Sequence, residues 1–300
     1  GQLIHLETLD LSNNDLASLP PELFTLPQLT YLNLQDNPLH FLPPEIGKFA
    51  NLHYLDLSFT QLEILPAQIG NLINLNTLKL GDNALSYLPP EIGDLHALER
   101  LYLDNNELQT LPIELFSLAN LQELSVSSND LTQIPAQIDG LIQLRVLVVS
   151  HNQLQALPPQ IGGLHNLRSL LLNKNQLETL PPELGDLPYL CHFMVRHNQL
   201  KILPPQLSKL SRIGDVETCD HGYTGLDVDD NPLISPPPEV IERGIPAIMG
   251  YLAQQEDQHL QKLIISGLAG FTSLILLILG LRSWSNRRNR KPKKKHQSAV

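Results

Sequence analysis

Motifs that carry catalytic chemistry are absent from this chain. The sequence contains no GxxxxGK[ST] phosphate-binding loop, no HExxH zinc motif and no GxSxG nucleophile turn. The 11 histidines are scattered, and none is paired with a nucleophile. Asp227–Pro232 reads DVDDNP and is similar to a calcium loop in its carboxylates, but it lacks the glycine and the distal glutamate of that loop. We therefore expect no catalytic residues, no metal and no cofactor.

Cysteine is almost absent as well. Cys191 and Cys219 are the only two cysteines, and neither belongs to a CxxC pair. Two cysteines are too few for a disulfide framework. Two free thiols are the simpler interpretation. A single disulfide near the end of the repeats is the alternative, and it would require an oxidising compartment.

Acidic residues are missing from one end of the chain. All 31 Asp and Glu residues precede Gln258, whereas eight of the 20 Lys and Arg residues lie between Arg282 and Lys295. Residues 1–262 therefore carry 12 basic and 31 acidic groups, a net charge of −19. Nucleic-acid phosphates need cationic contacts, so this charge argues against a nucleic-acid partner. It suits a basic protein partner, or solubility alone.

What the sequence does contain is a period of 23 residues. "LETLDLSNNDLASLPPEL" recurs as "LTYLNLQDNPLHFLPPEI" and "LNTLKLGDNALSYLPPEI". Ten units share one position, which we call the asparagine register, and a proline follows it by six residues in each unit. The register consists of Asn14, Asn37, Thr60, Asn83, Asn106, Asn129, Asn152, Asn175, Asn198 and Asn231. The last step is 33 residues, so about ten residues are inserted before the tenth unit.

The physical meaning of the period follows from its leucines. Alternation in LxLxx predicts a short strand with leucines on one face. A single unit cannot bury those leucines, so the units must stack into one continuous core. The register asparagine lies where the strand ends, and its amide can bond the backbone groups of the turn. Proline then ends the strand and favours an extended or 3₁₀-like outer side. When the units stack, the register amides form a ladder of hydrogen bonds. Thr60 stands in place of one asparagine and predicts a local weakness in that ladder.

The units match LxxLxLxxNxLxxLPxxIxxLxxL, so the chain resembles leucine-rich repeat proteins. Its LPPEIG half-unit is similar to the Ras-group and Roco-like kind. The resemblance implies an α/β solenoid: a horseshoe with a parallel β-sheet on its concave face, where such proteins bind partners. It also implies a closing helical segment, for which Val240, Ile241, Ile245, Ile248, Met249 and Leu252 supply the apolar side chains.

Four segments are expected along the chain. Residues 1–233 form the repeat array, with the insertion near 214–223. Residues 234–260 form a helical cap and a juxtamembrane linker. Residues 263–281 form a transmembrane helix, and residues 282–300 form a basic tail.

The concave positions contain an apolar strip rimmed by cationic groups, which predicts a protein-binding surface. The residues of this predicted surface are Val146, Val148, His151, Leu171, Lys174, His192, Met194, Arg196 and His197. The competing interpretation is that aliphatic residues simply suit strands, or that another part of the chain covers them. An aromatic group is a second predicted surface, formed by Tyr31, Tyr54, Phe59 and Tyr102.

The C-terminal apolar run predicts a single membrane span. Residues 263–281 carry no charge, and a helix of this length covers about 28 Å, close to the hydrocarbon thickness of a bilayer. Trp284 follows at interfacial depth, and then the basic tail. The positive-inside rule places that tail in the cytoplasm and the array outside.

Two functions agree with these features. The first is a membrane-anchored, non-catalytic module that binds a protein partner through its concave face. The alternative is a tail-anchored scaffold whose array lies in the cytosol and engages a small GTPase or another signalling protein, as the Ras-group resemblance implies. The absence of N-x-[ST] sequons and of cysteine-rich caps favours the alternative, although both absences also suit a bacterial exported protein.

Overall fold

The computed structural model of the chain describes residues 3–213 and 225–262. Its contacts divide the chain into two compact units, Gly1–Ala253 and Gln254–Val300. The first unit contains a ten-stranded sheet in which every strand pairs in parallel with its neighbours in chain order. This order confirms the predicted parallel solenoid.

The strands are short and lie in one constant register. Tyr31 pairs with Tyr54, and Tyr54 with Thr77, so each step along the sheet is one 23-residue period. The strands are β1 (Thr8–Asp10), β2 (Tyr31–Asn33), β3 (Tyr54–Asp56), β4 (Thr77–Lys79), β5 (Arg100–Tyr102), β6 (Glu123–Ser125), β7 (Val146–Val148), β8 (Ser169–Leu171), β9 (His192–Met194) and β10 (Leu226–Asp227).

The outer side of the solenoid is built from 3₁₀ helices. Each follows the proline of its unit, which has an extended backbone and ends the preceding segment. This proline is the N-cap residue of the helix and makes no side-chain capping bond. The helices are Pro21–Thr25, Pro44–Lys48, Ala67–Asn71, Pro90–Asp94, Ile113–Ser117, Ala136–Gly140, Pro159–Gly163, Pro182–Asp186 and Pro205–Lys209. The predicted 3₁₀-like outer side is therefore present.

Leucines from all units form one core. The middle residue of strands β2 to β9 is fully or almost fully buried, as Leu55 and Leu101 illustrate. Leucines on the return segments, such as Leu62 and Leu85, are equally buried. A single unit would leave these side chains exposed to water, and only stacking buries them. The stabilisation from apolar burial therefore belongs to the stack as a whole.

The asparagine register forms the predicted ladder. The Asn106 side-chain amide donates to Leu103 O of its own unit at 3.0 Å and to Leu80 O of the preceding unit at 2.9 Å. Its Oδ1 accepts the Leu85 N–H at 3.0 Å. One buried side chain therefore satisfies backbone groups of two units and ties the units together.

Thr60 changes this pattern locally. Its hydroxyl lies 2.6 Å from Leu57 O and 3.0 Å from Asn83 Oδ1 of the following unit, and it makes no bond to the preceding unit. The Leu39 N–H, which would bond a register asparagine elsewhere, donates to Asn37 O at 2.8 Å. His40 and Gln61 also take positive φ of 58° and 60°. The side-chain ladder therefore lacks one link at Thr60, where the backbone bond from the His40 N–H to Thr60 O at 3.1 Å joins the two units.

A left-handed residue precedes every register position. These residues have φ between 54° and 58°, a region that Asn and Asp tolerate best. They are Asn13, Asp36, Phe59, Asp82, Asn105, Ser128, His151, Lys174, His197 and Asp230. Phe59 is the bulky member of this column, and its side chain is exposed.

Cys191 is buried and disulfide-bonded. The interpretation of two free thiols therefore does not hold for Cys191. Cys219, the other cysteine of the sequence, and most of the predicted insertion lie outside the described residues.

The closing segment begins with helix α1 (Pro238–Ile241), and residues 245–262 are helical again. In the first unit, Ile248 and Leu252 are buried against the core. Val240, Ile241, Ile245 and Met249 are half-buried and pack beside them. These are the six side chains that the sequence assigned to the cap.

The second unit is described only over residues 254–262, which are helical. Among the described residues, no helix has the length and apolar character needed to cross a membrane. The predicted transmembrane helix at 263–281 and the basic tail at 282–300 lie outside the described residues.

Candidate protein-binding surface

The first and third residues of each strand lie on the face of the sheet opposite the core, which is the face predicted to be concave, because the middle residue points into the core. The constant register aligns these residues in columns that run across the sheet. Neighbours within a column are one strand apart, about 4.8 Å, so side chains 23 residues apart are in contact distance. The concave face is therefore built from pairs of residues separated by one period.

An aromatic and charged cluster occupies β2 to β4. The rings of Tyr31 and Tyr54 stack with centroids 4.4 Å apart and planes at 6°. The Tyr54 hydroxyl donates to Asp56 Oδ2 at 2.9 Å, and Lys79 Nζ lies 3.4 Å from the same carboxylate. Lys79 Nζ also lies 5.4 Å from the Tyr54 ring centroid. The cluster is held in place before any partner arrives.

The same contacts shift the acid–base properties of two members. Burial is the main cause that raises the pKa of Tyr54, and the hydrogen bond to Asp56 adds to it. The interaction with Tyr54 raises the pKa of Lys79, and the Asp56 carboxylate acts in the same direction. Tyr54 therefore stays a neutral donor and Lys79 a cation at physiological pH.

Tyr102 forms a separate polar contact on β5. Its hydroxyl donates to Glu123 Oε2 at 2.7 Å, and Arg100 Nε lies 4.0 Å from that oxygen. Burial raises the pKa of Tyr102, and the Glu123 hydrogen bond raises it further. Tyr102 thus belongs to a polar group on β5 and β6 and is not part of the Tyr31–Tyr54 stack.

The apolar strip predicted from the sequence divides into an accessible and a buried part. Val146, Val148 and Leu171 are half-buried on β7 and β8, with their side chains on the concave side. Met194 and His192, on β9, are buried at 8% and 5% exposure. The accessible strip is therefore shorter than expected and ends at β8.

His192 is also engaged within the chain. Its Nδ1 lies 3.0 Å from the Ser169 hydroxyl of the neighbouring strand. A buried, hydrogen-bonded histidine has a structural role in this position. The prediction of a rim histidine on the open surface does not fit His192.

The cationic rim is partly neutralised. Arg196 contacts Asp230 through Nε and Nη2, each 2.7 Å from Oδ2, and this contact raises the pKa of Arg196. His197 Nε2 lies 3.4 Å from the same oxygen. His151 and Lys174 are exposed in the left-handed column beside the accessible strip. The rim available to a partner therefore consists chiefly of His151 and Lys174.

Sequence reasoning missed the contact between Asp56 and Lys79. Neither residue belongs to the two predicted surfaces, because opposite charges one period apart were not connected. The 23-residue spacing is the signal that could have identified the pair, because it places the two side chains on adjacent strands. Phe59 lies at the exposed edge of this face, in the left-handed column.

Metal chemistry finds no support in the described ranges 3–213 and 225–262, where no group of His, Cys, Asp and Glu side chains could hold an ion. Within DVDDNP, Asp227 Oδ1 accepts the Asp229 N–H at 3.1 Å, as in an ordinary turn. Asp230 is paired with Arg196. The carboxylates of Asp227 and Asp230 therefore already make contacts within the chain.

Comparison with known families agrees with this architecture. The model of the leucine-rich repeat region matches residues 43–156, and a second leucine-rich repeat model matches residues 4–62 and 142–200. The solenoid is a leucine-rich repeat fold. The matches do not resolve a Ras-group or Roco-like subtype. No curated protein matches the chain.

Solved structures of receptors share the leucine-rich repeat fold. The plant peptide hormone receptor RGFR1, solved in complex with RGF2, is 30% identical over 77% of this chain and 41% of that chain, with a TM-score of 0.63. The ectodomain of the Arabidopsis thaliana receptor kinase GASSHO1/SCHENGEN3, in complex with Casparian strip integrity factor 2, is 33% identical over 72% of this chain and 26% of that chain, with a TM-score of 0.59. This chain spans less than half the length of either receptor chain.

Proposed function

We propose that this protein is a membrane-anchored, non-catalytic recognition module that binds a protein or peptide partner through its concave face. The observation that carries the proposal is the accessible strip of Val146, Val148 and Leu171. Aliphatic side chains that stay half-exposed in the middle of an otherwise polar sheet favour a surface that a partner covers. The receptors RGFR1 and GASSHO1 support a recognition role, because both were solved in complex with a second factor.

The two ends of the concave face differ in character. The Tyr31–Tyr54 stack and the Asp56–Lys79 pair form a rigid polar and aromatic platform at β2 to β4. The strip at β7 and β8 is aliphatic and lies beside His151 and Lys174. A partner that contacts both must extend across several strands. A rigid platform costs little conformational entropy when a partner binds.

The membrane anchor and its orientation are part of the proposal. The uncharged run at 263–281 and the basic tail at 282–300 support a single span with the tail in the cytoplasm. The disulfide at Cys191 supports an array that faces an oxidising compartment, because disulfides are rare in the cytosol. The same observation weighs against the alternative, a tail-anchored scaffold for a small GTPase in the cytosol.

Site-specific photo-crosslinking tests the concave surface. A photo-reactive residue is placed at Leu171 of the full-length chain in its own membrane, and a second chain carries it at Ile142, an exposed apolar position that is not part of the concave face. We expect a discrete crosslinked protein with the Leu171 chain and none with the Ile142 chain. The added substitution Val148→Asp should reduce that crosslink by about tenfold, because it puts a charge into the strip.

Two results would contradict the proposal. Crosslinking that is equally weak at Leu171 and Ile142 would show that the strip is not covered by a partner. A Leu171 crosslink that is unchanged by Val148→Asp, in a chain that melts like the wild type, would show that the strip does not contribute to recognition.

A further inference from the structure

A second exposed apolar surface lies away from the concave face. Phe41, Ile64 and Tyr87 occupy the same position in units two, three and four, four residues after the asparagine register. Their exposed fractions are 59%, 52% and 49%. We call these three residues the flank column, because they lie on the segment that leads from the strands to the 3₁₀ helices. The proposed function of the concave face does not use them.

Other units show how neighbouring flank positions meet. Thr110 lines a depression of about 350 Å³ together with Asp130 and Thr132 of the next unit. Thr179 and Ile202, the column positions of units eight and nine, line another of about 410 Å³. A residue at the column position therefore lies beside the flank residues of the following unit.

The strands of units two to four keep the constant register, so the three column positions follow one another at single strand spacings, although His40 and Gln61 take positive φ in the turns that lead to Phe41 and Ile64. Phe41 consequently lies beside the flank of the third unit, which carries Glu63 and Ile64. Ile64 lies in the same way beside the flank that carries Tyr87. Three large, exposed apolar side chains therefore occupy one position in three neighbouring units.

The repeat itself does not require this surface. At the same position, units five to eight carry Thr110, Gln133, Ala156 and Thr179, and those units keep the same strands and 3₁₀ helices. Large apolar side chains in three consecutive units therefore reflect something other than folding. The third unit is also the one in which Thr60 replaces asparagine and a phenylalanine, Phe59, occupies the left-handed position. Contiguous exposed apolar side chains are the expected mark of an interaction surface.

The charge around the flank column has a single sign. Residues 12–18, 35–41, 58–64, 81–87 and 104–110 contain no Lys and no Arg. The acidic residues of these five segments are Asp15, Asp36, Glu63, Asp82, Asp104 and Glu107. Such a border repels anionic lipid headgroups and nucleic-acid phosphates, and it attracts cationic groups.

We propose that the flank column is a docking site for a cationic protein segment, in which Lys or Arg side chains flank aromatic or aliphatic ones. The apolar side chains of the segment would cover Phe41, Ile64 and Tyr87, and its cations would meet Glu63 and the neighbouring carboxylates. The column spans two strand spacings, about 10 Å, which matches three or four residues of an extended chain. This site is separate from the concave face and does not depend on the proposed function of that face.

Peptide selection with matched variants tests the site. The full-length chain is immobilised, and a phage-displayed library of random linear peptides is the probe. Selected peptides are then measured against three variant chains. The first carries Phe41→Thr, Ile64→Thr and Tyr87→Thr, with the residue that Thr110 and Thr179 show the fold accepts at this position. The second carries Ile142→Thr as an exposed apolar control, and the third carries Val148→Asp and Leu171→Asp in the concave strip.

We expect a class of peptides rich in Lys or Arg together with aromatic or aliphatic residues. The threonine variant should weaken their binding by about tenfold or more. The Ile142→Thr chain and the concave variant should leave it unchanged. Binding that weakens as salt concentration rises would agree with the acidic border. Unchanged melting of each variant confirms that folding is intact, and Tyr87→Thr alone provides a milder substitution.

Two outcomes would overturn the proposal. If no selected peptide responds to the threonine variant, the flank column is not a docking site. If the responsive peptides are acidic or uncharged, the assigned partner chemistry is wrong. Peptides that respond only to the concave variant would support the proposed function and would still count against the flank site.

Discussion

At the residue scale, Phe59 is the clearest departure from the repeat. Its φ of 58° is the conformation that Asn13 and Asn105 adopt at the same position. A bulky residue in this region costs about 1–2 kcal/mol more than in its ordinary conformations. Strain of this kind tends to persist where a side chain has a role in binding. Phe59 combines the strain with an exposed ring at the edge of the concave face.

Phe59→Asn should therefore stabilise the protein. We expect the free energy of unfolding to rise by about 1 kcal/mol, since asparagine tolerates left-handed φ. Urea unfolding followed by circular dichroism measures the change. Asn105→Phe is the reciprocal control and should cost a similar amount. A loss of stability in Phe59→Asn would mean that packing of the ring outweighs the backbone strain.

The contribution of a register asparagine to the free energy of unfolding should depend on whether the side chain is buried between two units. Asn152 is buried, donates to Val126 O at 2.9 Å and accepts the Leu131 N–H at 2.9 Å. Asn152→Ala leaves the buried Leu131 N–H without that acceptor and removes the bonds to the carbonyls. The expected loss is about 3 kcal/mol of unfolding free energy, because buried unpaired groups cost about 1–3 kcal/mol each.

Asn14 provides the matched comparison for that measurement. It is exposed, and its amide bonds only Leu11 O and Ser12 O of its own unit among the described residues. Asn14→Ala should cost less than about 1 kcal/mol, since water can replace these bonds. Equal losses for Asn14 and Asn152 would refute the idea that the ladder acts by tying neighbouring units together.

At the element scale, glycine sets the spacing of the 3₁₀ helices. A Cβ added at Gly93 would lie 2.5 Å from Glu114 O and 2.9 Å from Glu114 C, both backbone atoms of the next unit. The two helices can therefore approach each other only without a side chain at Gly93. Gly250, in the helix over residues 245–262, has nothing within 4 Å of an added Cβ.

Gly93→Ala and Gly250→Ala should consequently have opposite effects. Gly93→Ala forces neighbouring backbones apart and should destabilise the protein by about 1–3 kcal/mol. Gly250→Ala should stabilise it by up to about 1 kcal/mol, because alanine is the better helix former. Thermal melting of the two variants beside the wild type decides the point. Similar melting of all three would show that the stack adjusts its spacing freely.

The strands and 3₁₀ helices could be predicted from the sequence because every unit repeats the same spacing of leucine, register residue and proline. The asparagine register located the turns, and the prolines located the starts of the outer helices. The cap side chains Ile248 and Leu252 were predicted for the same reason, since an open leucine edge requires apolar cover. Thr60 was expected to weaken the ladder. The rearranged turn at Leu39 and His40 was not foreseeable, because it depends on where a displaced N–H finds an acceptor.

The concave surface was harder to predict than the elements that carry it. Alternation shows which residues leave the core, but it does not show whether they then remain open to water. Met194 and His192 occupy outward positions and are nevertheless buried. The pairing of Arg196 with Asp230 crosses the irregular step of 33 residues, so the 23-residue period could not indicate it. A regular step can indicate neighbours such as Asp56 and Lys79, whereas the irregular step cannot.

At the scale of the whole molecule, the distribution of charge and cysteine bears on orientation. All 31 acidic groups precede residue 258, the tail carries eight of the cations, and Cys191 is disulfide-bonded. An acidic array with a disulfide on one side of a membrane and a basic tail in the cytoplasm would account for all three observations. An array in the cytosol leaves the disulfide unexplained, because the cytosol keeps thiols reduced.

Protease protection combined with thiol labelling separates these orientations. The chain carries one tag at each end, and intact cells are treated with protease. In parallel, cells are lysed in denaturant, which exposes the buried Cys191, and the chain is treated with a maleimide before and after reduction. We expect loss of the N-terminal tag from intact cells, survival of the C-terminal tag, and labelling of Cys191 only after reduction. Cys191→Ser should abolish the labelling at that position while leaving the protease pattern unchanged. An N-terminal tag that is digested only after the plasma membrane is opened, together with labelling before reduction, would place the array in the cytosol and make the small-GTPase scaffold the better explanation.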